Sequence, residues 1–134
     1  MDIGIFGGVS GRSGLDGIIA DVRAAADAGF ASYWLPQLVQ NTEAMNIIGA
    51  VAQHVPDIRF GTSVVPTYPR PPMVMAEQAM TTSMVTGGRF TLGIGLSHQP
   101  VVEGMWGQSF DKPLRHAREY LEVLTPLLRG ESVS

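Results

Sequence analysis

The stretch Phe90-Thr91-Leu92-Gly93-Ile94-Gly95-Leu96-Ser97 sets the choice of fold. In an extended chain, successive side chains face opposite ways. Phe90, Leu92, Ile94 and Leu96 then share one large apolar face, suited to packing beneath helices. Thr91, Gly93, Gly95 and Ser97 share the other, which is nearly bare and lets another group approach the backbone closely.

Working outward, three more apolar strands precede it. They are Ile3-Gly4-Ile5-Phe6, Ser32-Tyr33-Trp34-Leu35 and a run from Arg59 to Val65. The four starts lie 27 to 31 residues apart, about the size of one βα unit of roughly 30 residues. A helical stripe follows each strand. The first is Leu15, Ile18, Ile19, Val22 and Ala26, capped by Ser13 or Asp16 and closed by Gly29. The second is Met45, Ile48, Val51, Ala52 and Val55, with Thr42 as cap and Pro56 as stop. Pro71 and Pro72 open the third, with Met73, Ala76, Met80 and Met84, and Gly87-Gly88 closes it. The fourth opens at Pro113 and runs along Leu114, Ala117, Leu121, Leu124 and Leu128 to Gly130, with a kink or early end expected at Pro126.

Alternating strands and helices make a parallel sheet with helices packed on it. An open doubly wound sheet and part of a (β/α)8 barrel both satisfy that pattern. A complete barrel takes about 250 residues, and four units are half of one.

Composition narrows the function. The 134 residues are 45% hydrophobic and 16% charged, with a net charge of −3 and no cysteine. That removes a disulfide framework, a zinc ribbon and a thiol nucleophile. No run of about 18 apolar residues suggests a membrane span, and the first residues lack the basic start of a secretory signal. A cytoplasmic location is expected. Lys112 is the single lysine among nine basic residues, so no basic stripe marks a nucleic-acid partner. The three histidines, His54, His98 and His116, show no metal-ligand spacing, and no metal is expected.

Sites in parallel α/β proteins form at the carboxyl ends of strands. Those ends carry Gly7-Gly8, Pro36-Gln37, the segment 63–68 and Ser97-His98-Gln99. Gly8, Gly11 and Gly14 recur every third residue and no lysine follows, so they read as a connection rather than a phosphate loop. No serine sits in a G-x-S-x-G setting. His98 directly follows the bare-faced strand; it is either a surface-loop residue or a group that moves a proton or bonds a ligand. His54 reads as a helix-end residue, His116 as part of a solvated face and Glu103 as a rim carboxylate.

The segment from Phe60 to Gly130 carries a more specific pattern. It comprises Phe60-Gly61-Thr62-Ser63-Val64-Val65-Pro66, Ala76-Glu77-Gln78-Ala79, Thr86-Gly87-Gly88-Arg89-Phe90-Thr91-Leu92-Gly93-Ile94-Gly95, Arg118-Glu119-Tyr120-Leu121 and Leu127-Leu128-Arg129-Gly130. It resembles the luciferase-like flavin and deazaflavin oxidoreductases, above all the branch using coenzyme F420. The resemblance covers nearly all of this chain and about the N-terminal half of a family member. It implies that residues 1–134 form a single (βα)4 half of a (β/α)8 TIM barrel, an α/β fold. Such a half leaves its first and fourth strands as open edges, so completion by oligomerisation is expected, as a homodimer or higher oligomer. The resemblance further implies a non-prolyl cis peptide at Ser63-Val64. Ser63, Val64 and Pro66 then lie against the ring of coenzyme F420, or alternatively FMN, with Ser97 and His98 beside it.

Deazaflavin-using relatives often carry an Asp-His pair after the second strand and an acidic residue after the fourth. The matching positions here are Pro36 with Gln37, and His98. Gln37 and His98 are therefore the expected catalytic residues, steering a carbonyl or enone in a small organic substrate. The implied activity is hydride transfer with F420. The alternatives are an FMN-dependent monooxygenase and a non-catalytic half-barrel that serves association.

Overall fold

A computed structural model describes residues 1–8 and 14–133. Six strands and five helices follow one another as β1 (Gly4–Phe6), α1 (Gly14–Asp27), β2 (Ser32–Leu35), α2 (Ala44–Val51), β3 (Arg59–Thr62), β4 (Val65–Pro66), α3 (Pro72–Val85), β5 (Phe90–Thr91), β6 (Ile94–Gly95), α4 (Gln99–Gly104) and α5 (Pro113–Leu128). Two compact units divide them, Met1–Val65 with Thr81–Gly93, and Pro66–Met80 with Ile94–Ser134.

The first unit holds a parallel sheet in the order β1-β2-β3-β5. Each new strand is added on the same side of the last. A doubly wound sheet reverses direction at a switch point; this one does not, which is the winding of a barrel wall. Among the described residues, its outer strands, β1 and β5, each pair on one side only. Tyr33, Leu35 and Phe60 point under the helices, into a core with Ile18, Ile19 and Val22 of α1 and Ile48 and Val51 of α2. Trp34, one residue out of phase, lies on the other face. There its indole covers Gly61 so closely that a side chain at Gly61 would collide with the ring.

Arg89 fastens the end of α2 to this sheet. Its guanidinium donates to the carbonyls of Ala52 (3.0 Å), Val55 (3.1 Å) and Ile58 (2.7 Å) and lies 5.6 Å from the Phe60 ring centroid. The arginine of the Gly-Gly-Arg-Phe run thus serves the packing of this unit.

Several boundaries differ from expectation. The third strand is split into β3 and β4 by the Ser63-Val64 turn, and the fourth into β5 and β6 at Leu92-Gly93. The cause of the second break is local. The Thr62 hydroxyl accepts from the Gly93 N–H at 2.8 Å and donates to the Gly93 carbonyl at 2.9 Å. What approaches this bare glycine is therefore the backbone of Thr62, whose carbonyl would clash with any side chain there.

The cap of α2 is Glu43, whose carboxylate accepts from the Asn46 N–H at 2.7 Å, not Thr42. The Ser13 cap and Gly11 lie outside the described residues. Gly29, Gly87, Gly88 and Gly130 take the positive φ values of 63° to 85° that end helices. Helix α5 runs through Pro126 to Leu128. Two helices present a different face from the expected stripe. α3 buries Met75, Ala76, Ala79 and Thr82 and exposes Met73, Met80 and Met84; α5 buries Tyr120 and Leu124 and exposes Leu114, Leu121 and Leu128.

Candidate functional site at the carboxyl ends of the strands

In the first unit, Gln37 lies two residues past the end of β2 and is half-buried. Its backbone N–H donates to the Val64 carbonyl at 3.3 Å. Its side-chain carbonyl accepts from the Ala44 N–H at 2.7 Å, on the first residue of α2. This bond satisfies one of the N–H groups that a helix start leaves unpaired. Gln37 thus joins the loop after β2, the first turn of α2 and the turn after β3. Its carboxamide oxygen is engaged, and the NH2 end keeps donor capacity.

The Ser63-Val64 peptide is cis, at the position the resemblance implied. The Ser63 N–H donates to the Leu35 carbonyl and the Val65 N–H to the Gly93 carbonyl, both at 2.8 Å. The turn is pinned on both sides while Ser63 and Val64 themselves face outward, Val64 being 41% exposed. Gln37, Ser63 and Val64 are therefore brought together, and none carries a charge.

In the second unit, Pro66 is buried, and Thr67 beside it donates its N–H to the Gly95 carbonyl at 2.9 Å. That bond sets the end of β4 beside β6. Two residues past β6, Ser97 takes φ 65° and turns the chain into α4. His98 is exposed and occupies the N-cap position of α4. Its carbonyl accepts from Val101 and Val102, and its imidazole makes no cap bond. Glu103 is exposed; it accepts from the Phe110 N–H and the Gln99 carboxamide.

A further cluster escaped sequence reading. Tyr68, three residues after Val65, stacks its ring on His116 at 4.0 Å and 8°, with Phe110 at 5.4 Å. His116 Nε2 lies 3.0 Å from Thr67 Oγ1. His116 is thus half-buried and packed rather than part of a solvated face. Burial pushes its pKa down against a smaller upward pull from Glu119. The Tyr120 hydroxyl donates to the Arg70 carbonyl at 2.8 Å, and burial pushes its pKa up to about 12. The sequence signal was present only as Tyr68 standing 42 residues before Phe110 and 48 before His116, with nothing to pair them.

Among the described residues, no helix is long and apolar enough to cross a membrane, and no group of three His, Cys, Asp or Glu is placed to hold a metal ion.

Comparison with known proteins places this geometry. The profile of the luciferase-like monooxygenases matches residues 3–134. Rv3520c of Mycobacterium tuberculosis, named as a coenzyme F420-dependent oxidoreductase, is 36% identical over 111 residues, covering 83% of this chain and 32% of that protein. The 5,10-methylenetetrahydromethanopterin reductase of Archaeoglobus fulgidus is 30% identical over 112 residues, covering 84% and 33%. The solved oxygenating component of 3,6-diketocamphane monooxygenase from Pseudomonas putida, in complex with FMN, superposes with a TM-score of 0.79 at 22% identity, over 92% of this chain and 38% of that one. The chain spans about a third of the length of the curated relatives it matches. With parallel strands laid down in sequence order and this match along almost its whole length, the chain is a partial α/β barrel and belongs to the luciferase-like monooxygenase family.

Proposed function

We propose that this chain is the N-terminal (βα)4 portion of an oxidoreductase that moves a hydride between coenzyme F420 and a small organic substrate. The observation that carries the reading is the outward-facing Ser63-Val64 turn held against Gln37 at the strands' carboxyl ends. Its support is the 30–36% identity to relatives named for F420 or methanopterin chemistry. The residues fit a flat, neutral ring. Gln37, Ser63 and Val64 are uncharged, and Val64 offers apolar surface.

Ser63, Val64 and Pro66 back the ring in this reading, and Ser97 and His98 border it. When bound, the deazaflavin supplies the two-electron hydride chemistry. The chain's own residues bind and orient. The free NH2 end of Gln37 and the imidazole of His98 donate hydrogen bonds to a substrate carbonyl or enone oxygen.

Separate titrations of F420 and FMN, followed by fluorescence and absorbance, test this. Micromolar binding of F420 is expected. Binding of FMN alone moves the reading to an FMN-dependent monooxygenase, since a similar solved protein carries FMN. No response from a folded sample leaves the non-catalytic association module. One observation favours that second reading: among the described residues β1 and β5 are unpaired on one side, and Phe6 on β1 is 61% exposed. An unpaired strand edge is a template for another chain. We infer a homo-oligomer in which a second copy covers these edges. Sedimentation at low micromolar concentration is expected to show a dimer or larger species, and a compact, stable monomer overturns this.

A further inference from the structure

Charge is sorted between the two ends of the first unit's sheet. Its described arginines all serve the amino ends of the strands. Arg59 opens β3, and Arg89, just before β5, holds the carbonyls of Ala52, Val55 and Ile58. Arg23 donates to the His54 carbonyl at 3.1 Å, past the end of α2, where the chain returns toward β3. The carboxyl ends are different. Among the described residues, the segments that follow β1, β2 and β3 in this unit, 7–8, 36–43 and 63–65, hold no arginine, lysine or histidine. The charges near these ends are carboxylates. Asp16 stands in the first turn of α1, Glu43 caps α2, and Asp21 accepts from the Tyr33 hydroxyl, which occupies the place of a side chain at Gly7. A helix start can bind an anion, but at α2 the Ala44 and Asn46 N–H groups are already taken by Gln37 and Glu43.

What these ends expose instead is apolar. Phe6 closes β1 and is 61% exposed, Leu38 follows Gln37 and is 52% exposed, and Val64 stands on the cis turn. Three main-chain bonds set the ends side by side. The Gly7 N–H donates to the Trp34 carbonyl, the Ser63 N–H to the Leu35 carbonyl and the Gln37 N–H to the Val64 carbonyl. Phe6 is in register with Trp34 and shares its face, the one away from the helices. A chain pairing along the β1 edge takes up main-chain groups and leaves this side chain free, because side chains stand perpendicular to a sheet.

We propose that Phe6 and Leu38 set the class of substrate: an uncharged carbonyl compound with an apolar body, not a phosphorylated or carboxylated one. The inference rests on the proposed function and specifies its substrate. The apolar body lies against Phe6 and Leu38, and the carbonyl oxygen accepts from the NH2 end of Gln37. A largely apolar lining with a few placed polar groups is the usual make-up of a small-molecule site. An anionic substrate would meet the carboxylates of this end with no described cation to offset them, and its own charge would lose water without a partner.

Two ligands that differ only at one end, 2-octanone and 7-oxooctanoate, test this by isothermal titration into the full chain saturated with F420, or with FMN where that binds instead. The uncharged ketone is expected to bind about tenfold more tightly. Phe6→Ala and Leu38→Ala are each expected to weaken its binding about fivefold, with no change in melting temperature because both side chains are exposed. Leu38→Lys is expected to turn the preference toward 7-oxooctanoate. Where a substitution lowers the melting temperature, the comparison of the two ligands on the parent decides by itself. Equal binding of both ligands, tighter binding of 7-oxooctanoate, binding of neither, or unchanged affinity in folded alanine variants overturns this inference alone, since cofactor binding, and the proposed function with it, then still stands. A chain that takes up neither F420 nor FMN overturns both.

Discussion

Gly93 shows how one residue decides the course of a strand. Its N–H and carbonyl are both taken by the Thr62 hydroxyl, and the Thr62 carbonyl occupies the place of a side chain. Gly93→Ala must move the backbone at Thr62 or at residue 93 itself, because the clash is with a main-chain carbonyl. A loss of about 2–3 kcal/mol is expected, the usual range for overpacking, measured by urea unfolding. Gly49, inside α2 with nothing within 4 Å of its would-be side chain, is the contrasting site. Gly49→Ala is expected to gain up to about 1 kcal/mol from helix propensity. Alternation alone marked Gly93 as part of a bare face, but the partner that fills the space there lies 31 residues earlier in the chain. Distance in sequence, here 48 residues, likewise hid the Tyr68–His116 stack.

At the scale of elements, α2 carries the clearest lesson. Its apolar stripe was legible and every member is buried. Its start was misplaced, because Thr42 has the better capping side chain by type, yet the longer Glu43 side chain reaches the Asn46 N–H. Thr42 instead donates its backbone N–H to the Asn41 side chain. Glu43→Ala is therefore expected to cost about 1 kcal/mol, and Thr42→Ala only a few tenths, both read from denaturant midpoints. Equal costs would contradict the assignment. Helices α3 and α5 were found but rotated, since apolar residues on several sides leave periodicity without a single answer. Their exposed face carries Met80 and Met84 on one and Leu114 and Leu121 on the other. Helix α4 was missed altogether. Six residues opened by Gln99-Pro100 give too short a stripe to read.

Across the whole molecule, all three tyrosines have raised pKa values. Burial is the leading cause in each, and for Tyr33 the Asp21 carboxylate, which accepts from its hydroxyl, adds to it. An unfolded tyrosine ionises near pH 10. The folded chain keeps its phenols protonated beyond that, so their contribution to stability is complete below about pH 10. It is lost as pH rises through the folded values, by up to about 1.4 kcal/mol per pH unit for each tyrosine. Tyrosinate absorbance is expected to stay low at pH 10 to 11 and to rise together with unfolding. A tyrosine that ionises reversibly near pH 10 in the folded state would contradict this. The four βα units were legible from spacing alone. Their sequential winding was not, because spacing does not encode which side of a strand the next one joins.

That winding bears on how such a wall can grow. Because every crossover steps the same way, another βα module can be grafted at either margin without rethreading the modules already present. A sheet that doubles back on itself offers no such freedom, since inserting a module near its reversal point would reorder the neighbours. Splicing and duplication, by engineers or by genomes, are thus geometrically cheap operations on this chain.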